Sequence, residues 1–209
     1  MGDMHYLKEN KILLCIAAIL PVFFFGPDKA IIIWFKHFRE EHTNVYLWLE
    51  SLDSGIDVAG NGSTLIIIAF MLYLYGRLFY KSRLSDMGSH LFISLASASI
   101  LVQSLKHLIG RARPRLTDNT VFIGPSWKNS YDSFPSGHTT LAFCLAHILT
   151  LYFPRYRLVF YGFAIFVGVE RIQDLSHFPS DVLAGAILGL IIGKLLSAKM
   201  FRPDFQYRV

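Results

Sequence analysis

The chain has 209 residues, of which 53% are hydrophobic and only 17% charged, with 18 phenylalanines, a net charge of +5 and a mean hydropathy of +0.42. Charged residues normally approach about a quarter of a soluble domain, so this balance excludes an ordinary soluble globule and indicates a membrane protein. The pI near 9.2 does not indicate nucleic-acid binding, because the basic residues sit at the ends of apolar segments instead of forming a stripe.

Six apolar segments approach the roughly 17–25 residues that a spanning helix requires. The first, about 12–25, carries Pro21 and follows Lys8 and Lys11. No small-residue cleavage site follows it, so a retained anchor is expected instead of a signal peptide. Tyr6 stands where a myristoylation signal needs Ser or Thr. Between Pro27 and Gly62, two shorter apolar stretches (Ala30–Phe38 and Val45–Leu52) are interleaved with charges and carry Trp34 and Trp48. That pattern predicts short helices lying in the membrane interface. The remaining spans are expected at about 63–79, 89–108, 138–153, 158–169 and 182–196, with a long loop from Gly110 to Ser133. Lipid forces each segment to satisfy its own backbone, so the fold class is all-α, a single domain with six transmembrane helices. Cys15 and Cys144 both lie in apolar runs and read as buried thiols.

Orientation follows from Lys and Arg. The short segments holding Lys8, Lys11, Arg77, Lys81, Arg83, Arg155, Arg157 and the basic tail fall on one side, while most acids fall on the other. Both termini are therefore expected in the cytoplasm.

Three loops on the opposite face carry ionisable groups, which are functional candidates at a membrane boundary. The first ends the third span with Lys106 and Arg113-Pro114, and the second is Ser133–Thr140, Ser-Phe-Pro-Ser-Gly-His-Thr-Thr. The third runs from Arg171 through His177 to Asp181. Pro135 is expected in the first turn of a helix opened by the octet, whose N-terminus would attract anions. Alone, the octet reads equally as a capped helix start. Lys106, Arg113 and Arg171 add three cations, two of them guanidinium forks suited to phosphate. Ser136, Gly137 and the amide of His138 add neutral donors. Asp181, four residues after His177, can fix one imidazole tautomer. Two histidines with an anion cradle can perform displacement at phosphorus, one attacking and the other protonating the leaving oxygen.

Lys106-x6-Arg113-Pro114, Pro135-Ser136-Gly137-His138 and Arg171-x5-His177-x3-Asp181 resemble, in order and spacing, the three signature motifs of the type 2 phosphatidic acid phosphatase (PAP2) superfamily. The resemblance covers the second half of the chain closely and the first half in hydropathy alone. It implies His177 as the nucleophile, forming a phosphohistidine with Asp181 orienting it. It implies His138 as the acid for the leaving group and then the base for water. Lys106, Arg113, Ser136, Gly137 and Arg171 would hold the phosphoryl oxygens, with no metal and no cofactor. Glu170 departs from the pattern, which usually has Ser there; an acid beside Arg171 would either orient its guanidinium or weaken the anion site.

Arg111, Arg115 and Lys128 are candidates for lipid head-group contacts, and Trp127 for shaping substrate entry. His107 reads as interfacial or packing, and His37, His42 and His90 have no partner at useful spacing. Gly185, Gly189 and Gly193 form a small-residue face, expected to pack within the chain. The reading is a bacterial inner-membrane lipid phosphatase, a monomer whose site faces the periplasmic side. By resemblance its substrate is lipid A, undecaprenyl pyrophosphate or phosphatidylglycerophosphate, with a lean to the first two because the site faces away from the cytoplasm. Phosphotransfer to another lipid, or a non-catalytic lipid carrier on the same fold, are the alternatives. Vanadium haloperoxidases share the motif geometry but are soluble.

Overall fold

The computed structural model describes residues 19, 20, 22, 26–44, 47 and 61–200, and these contain helices and loops but no strand beyond one isolated bridge, Arg111 with Phe122. The helices are α1 (Pro27–Glu41), α2 (Gly62–Leu78), α3 (Ser82–Ile109), α4 (Gly137–Tyr152), α5 (Arg157–Gln173) and α6 (Pro179–Met200), with a short 3-10 turn at Pro154–Tyr156. Helices α2 to α6 coincide with five of the six expected spans. The first span and most of the second interfacial stretch, Val45–Leu52, lie outside the described residues. Helix α3 starts at Ser82, seven residues before the apolar window, because its first turns are polar yet helical. By length and composition α3 and α6 can cross a membrane, and α2 is apolar but shorter, at 17 residues.

Local chemistry sets the helix ends. The Asn61 side chain accepts from the Ser63 amide at 3.0 Å and caps α2. Gly110 ends α3 in the left-handed region (φ 62°), where a Cβ would lie 2.0 Å from the Gly124 carbonyl oxygen. The octet departs from expectation: the Phe134–Pro135 bond is cis, and α4 begins two residues after Pro135, with Ser136 as its N-cap. Pro135 therefore precedes the helix instead of filling its first turn.

The core lies between α3, α4 and α6, where Leu91, Leu95, Ala98, Leu141, Cys144, Ile148 and Ile192 are buried together. The glycine face of α6 meets α4: a Cβ on Gly189 would lie 2.2 Å from the Thr140 carbonyl oxygen, and one on Gly185 2.6 Å from that of Ser136. The small residues thus pack inside the chain, and they bring the second and third motifs together. His90, buried in the same bundle, sits between the Tyr152 hydroxyl (3.4 Å) and the Ser197 hydroxyl (3.1 Å). Helix α1 buries only one face. Its Ile32 and Phe35 pack on Ile172, Leu175 and Phe178 of the third motif segment, while Trp34 on the other face is 58% exposed.

Candidate active site

Sequence-distant segments meet at one end of the bundle. The 110–133 loop folds back through main-chain bonds, Ala112 N–H to the Val121 carbonyl (2.9 Å) and Ser133 N–H to that of Arg111 (3.0 Å). Ser136 N–H then donates to the Asp181 carbonyl (3.0 Å), joining the start of α4 to that of α6.

His177 is 2% exposed. Its Nδ1 lies 2.7 Å from the Ser133 carbonyl oxygen and 3.8 Å from Asp181 Oδ2. A carbonyl only accepts, so Nδ1 carries the proton and Nε2 keeps its lone pair. The tautomer is thus fixed by the Ser133 carbonyl, and not by a direct hydrogen bond to Asp181 as the spacing suggested. Burial pushes the His177 pKa down to about 4; the nearby Asp181 opposes this, and the charges of Lys106 and Arg113 reinforce it. The imidazole is neutral at physiological pH.

Asp181 is fully buried and serves several partners. Its Oδ2 accepts from the Ser133 hydroxyl (2.5 Å) and from the Phe178 amide (2.8 Å), the latter closing the first turn of α6 in the manner of a capping box. Its Oδ1 accepts from Arg111.

Lys106, Gly137 and His138 line a cavity of about 220 Å³ together with Asp132, Ser99 and Gln103. A Cβ on Gly137 would come within 3.8 Å of Lys106 Cε and 3.5 Å of Val102, taking up space between the helix start and the lysine. Ser136 is buried and shares a hydrogen bond with Thr139 Oγ1 (2.9 Å). The other two cations are held by acids. Arg113 donates from Nε and a terminal nitrogen to the two oxygens of Asp132, at 2.8 and 2.6 Å. Lys106 donates to the main-chain carbonyl of the same residue at 2.8 Å. Burial alone would raise the Asp132 pKa, but the hydrogen bonds and charge of Arg113, with Lys106, bring it down to about 2. Arg171 is 3% exposed and its Nε bonds Glu170, so the acid at the departure from the motif does engage the guanidinium.

The three head-group candidates separate. Arg111 is fully buried, between Asp28, Asp181, Ser180 and Thr120, and so cannot reach a head group. Arg115 lies at the surface but bonds the Asp174 side chain and the Ser176 hydroxyl (3.0 Å). Lys128 is exposed beside Trp127, whose ring stacks on His107 at 3.9 Å and is 84% exposed.

Two residues at the site escaped the sequence reading. Asp132 directly precedes the octet, and its signal was an acid between the cations of the first motif and the octet. Asp28 follows Pro27 in the first turn of α1 and belongs to none of the three motifs.

One end of the helical bundle thus gathers two histidines, a lysine, two arginines and the N-terminus of α4. Residues 87–204 match the PAP2 superfamily model, and the chain belongs to that superfamily. A lipid A 1-phosphatase of Rhizobium johnstonii is 35% identical over 68% of this chain and 64% of its own length. Another of Rhizobium etli is 34% identical over 62% of each chain. Phosphatidylglycerophosphatase B of Bacillus subtilis is 29% identical over 69% of this chain and 72% of its own. The first two matches thus span less than two thirds of those relatives. Among solved structures, a transmembrane PAP2-type phosphatidylglycerolphosphate phosphatase of Bacillus subtilis superposes with a TM-score of 0.67, over 95% of this chain and 96% of that one at 24% identity. The Aquifex aeolicus LpxE structure gives 0.53, over 78% and 93%, also at 24% identity. Those two likenesses concern the fold.

Proposed function

We propose that the protein is a six-span membrane lipid phosphatase that releases phosphate through a phosphohistidine on His177 without a metal. The observation that carries this reading is the state of His177. It is buried and neutral, with Nδ1 committed to the Ser133 carbonyl and the lone pair on Nε2, which is the form a nucleophilic imidazole requires. Nε2 attacks phosphorus and the bond to the lipid oxygen breaks, with His138 donating a proton to that oxygen. His138 then takes a proton from water, which attacks phosphorus, breaks the N–P bond and restores Nε2. Lys106, Arg113 and Arg171, with Ser136 and the amides of Gly137 and His138, neutralise the equatorial oxygens. Arg115 and Lys128 contact the head group.

The substrate class is a lipid phosphate presented at the outer leaflet of a bacterial inner membrane, with both termini cytoplasmic and the chain monomeric. Lipid A is favoured over undecaprenyl pyrophosphate and phosphatidylglycerophosphate, because two relatives carrying that name are 35% and 34% identical against 29% for phosphatidylglycerophosphatase B. Detergent-solubilised protein is to be assayed for phosphate release across these three lipids, with acid-labile, base-stable phosphoprotein trapped by rapid quench. Expected are release from lipid A and a phosphoprotein that is absent in His177→Ala. Unchanged release by His177→Ala from every lipid overturns the mechanism.

A further inference from the structure

We propose that Asp28, on α1 and outside all three motifs, is a positioning residue for the reaction: it holds Arg111, and through Arg111 the Asp181–Ser133 pair that fixes His177. This rests on the reading of His177 as nucleophile.

Asp28 is 1% exposed, and both its oxygens only accept. Oδ1 takes the Ser180 amide at 2.9 Å. Oδ2 takes the Ser180 hydroxyl at 2.5 Å and a terminal nitrogen of Arg111 at 2.8 Å. Its hydrogen-bond partners among the described residues are all donors, so it is the carboxylate that is bound. Burial raises the Asp28 pKa against these hydrogen bonds; a buried carboxylate persists where such partners compensate for lost water. Arg111 lies with its guanidinium carbon 4.2 Å from the Phe178 ring centroid and donates from its other terminal nitrogen to Asp181 and to Ser180 Oγ (2.7 Å). Asp181 in turn accepts from the Ser133 hydroxyl, and the carbonyl of the same Ser133 holds His177. One guanidinium thus bridges two carboxylates, and the chain Asp28–Arg111–Asp181–Ser133–His177 runs without a gap from α1 to the proposed nucleophile. Besides these groups, Lys106 and Arg113 act on His177 by charge.

The docking of α1 does not depend on Asp28 alone. Lys29 bonds Asn119 (3.0 Å), Lys36 bonds Asp118 (2.5 Å), and Ile32 packs against Leu175 and Phe178. Asp28→Asn therefore keeps the helix in place and the shape of the side chain, and removes the charge that shares Arg111.

The experiment compares wild type, Asp28→Asn, Asp28→Glu, Arg111→Gln and the Asp28→Asn/Arg111→Gln double variant, all full-length in detergent, with His177→Ala as control. Ångström-scale misplacement of a reacting group costs up to about 100-fold, so Asp28→Asn is expected to lower kcat about 10- to 100-fold. KM should stay within about threefold while vanadate inhibition weakens along with kcat, because vanadate meets Nε2 as the five-coordinate phosphoryl group does; Asp28→Glu should recover part of kcat, and the double variant should be no slower than Arg111→Gln. The 15N signals of His177, which report the tautomer without turnover, should shift in Asp28→Asn. Full kcat with unchanged His177 signals overturns the proposal. So does a loss that multiplies in full with that of Arg111→Gln, or one confined to KM. If wild type and His177→Ala release phosphate alike, the function reading fails instead, and the 15N signals still decide the role of Asp28.

Discussion

The acid at the mouth of the cradle gives the sharpest prediction. Asp132 occupies the Nε-side donor edge of Arg113 and lies 3.8 Å from Lys106 Nζ, so a phosphoryl group bound by that lysine meets a carboxylate already seated on its cations. An ammonium–phosphate bond is about 2.8 Å long, which puts the bound phosphoryl oxygen within about 7 Å of the carboxylate. At an effective dielectric near 20, like charges at that distance repel by about 2 kcal/mol. The side chain is 33% exposed, and solvent screening leaves about 1 kcal/mol of this. Asn at 132 retains one acceptor for Arg113 and removes the competing charge. Asp132→Asn should therefore strengthen vanadate inhibition about fivefold, since about 1.4 kcal/mol is tenfold, and lower KM in parallel with kcat within about threefold. Because the Asp132 pKa lies near 2, its carboxylate stays ionised from pH 5 to 9. Weaker vanadate binding in Asp132→Asn would refute the reasoning and make Asp132 an organiser of Arg113 instead of a competitor.

Other outcomes follow from burial and packing. The His177 pKa falls from 6.5 to about 4 on folding, so the unfolded chain binds the extra proton and His177 costs stability as pH falls from about 6.5 toward 4. The melting temperature of wild type should drop between pH 7 and pH 5 by more than that of His177→Asn, and equal drops would contradict the burial. Gly189→Ala places a methyl 2.2 Å from the Thr140 carbonyl oxygen and should destabilise by about 1–3 kcal/mol. Gly162→Ala meets nothing within 4 Å and should be neutral or slightly stabilising in the same thermal assay.

What the sequence made legible was periodicity and motif. Apolar runs gave the positions of α2 through α6, and the three motifs gave the residues that gather at one end of the bundle. The polar first turns of α3 were missed because hydropathy measures contact with lipid, while Ser82–Ser85 need only helical backbone bonds. Arg111 was misplaced for a different reason. At the end of a span a basic residue usually faces head groups, and its burying partner Asp28 lies 83 positions away on a helix whose inner face is recognisable only once docked. Asp181 was assigned to His177 by spacing, but a four-residue separation across a helix start also suits a carboxylate that caps the helix, and the nearer Ser133 carbonyl holds the imidazole. Tertiary partners of charged groups leave no periodic trace.

Each guanidinium proposed for the phosphate cradle has its own acid, Arg113 with Asp132 and Arg171 with Glu170. An unpaired cation held in a buried site is costly, so these acids permit the cradle to exist in the resting protein, and each also opposes an incoming phosphate. If both act by charge on separate cations, Glu170→Gln should strengthen vanadate inhibition as Asp132→Asn does, and the double variant should show the product of the two effects, as independent sites do. A double variant no tighter than either single one would mean that phosphate engages one guanidinium at a time, and the three-cation cradle would have to be redrawn around Lys106 and a single arginine.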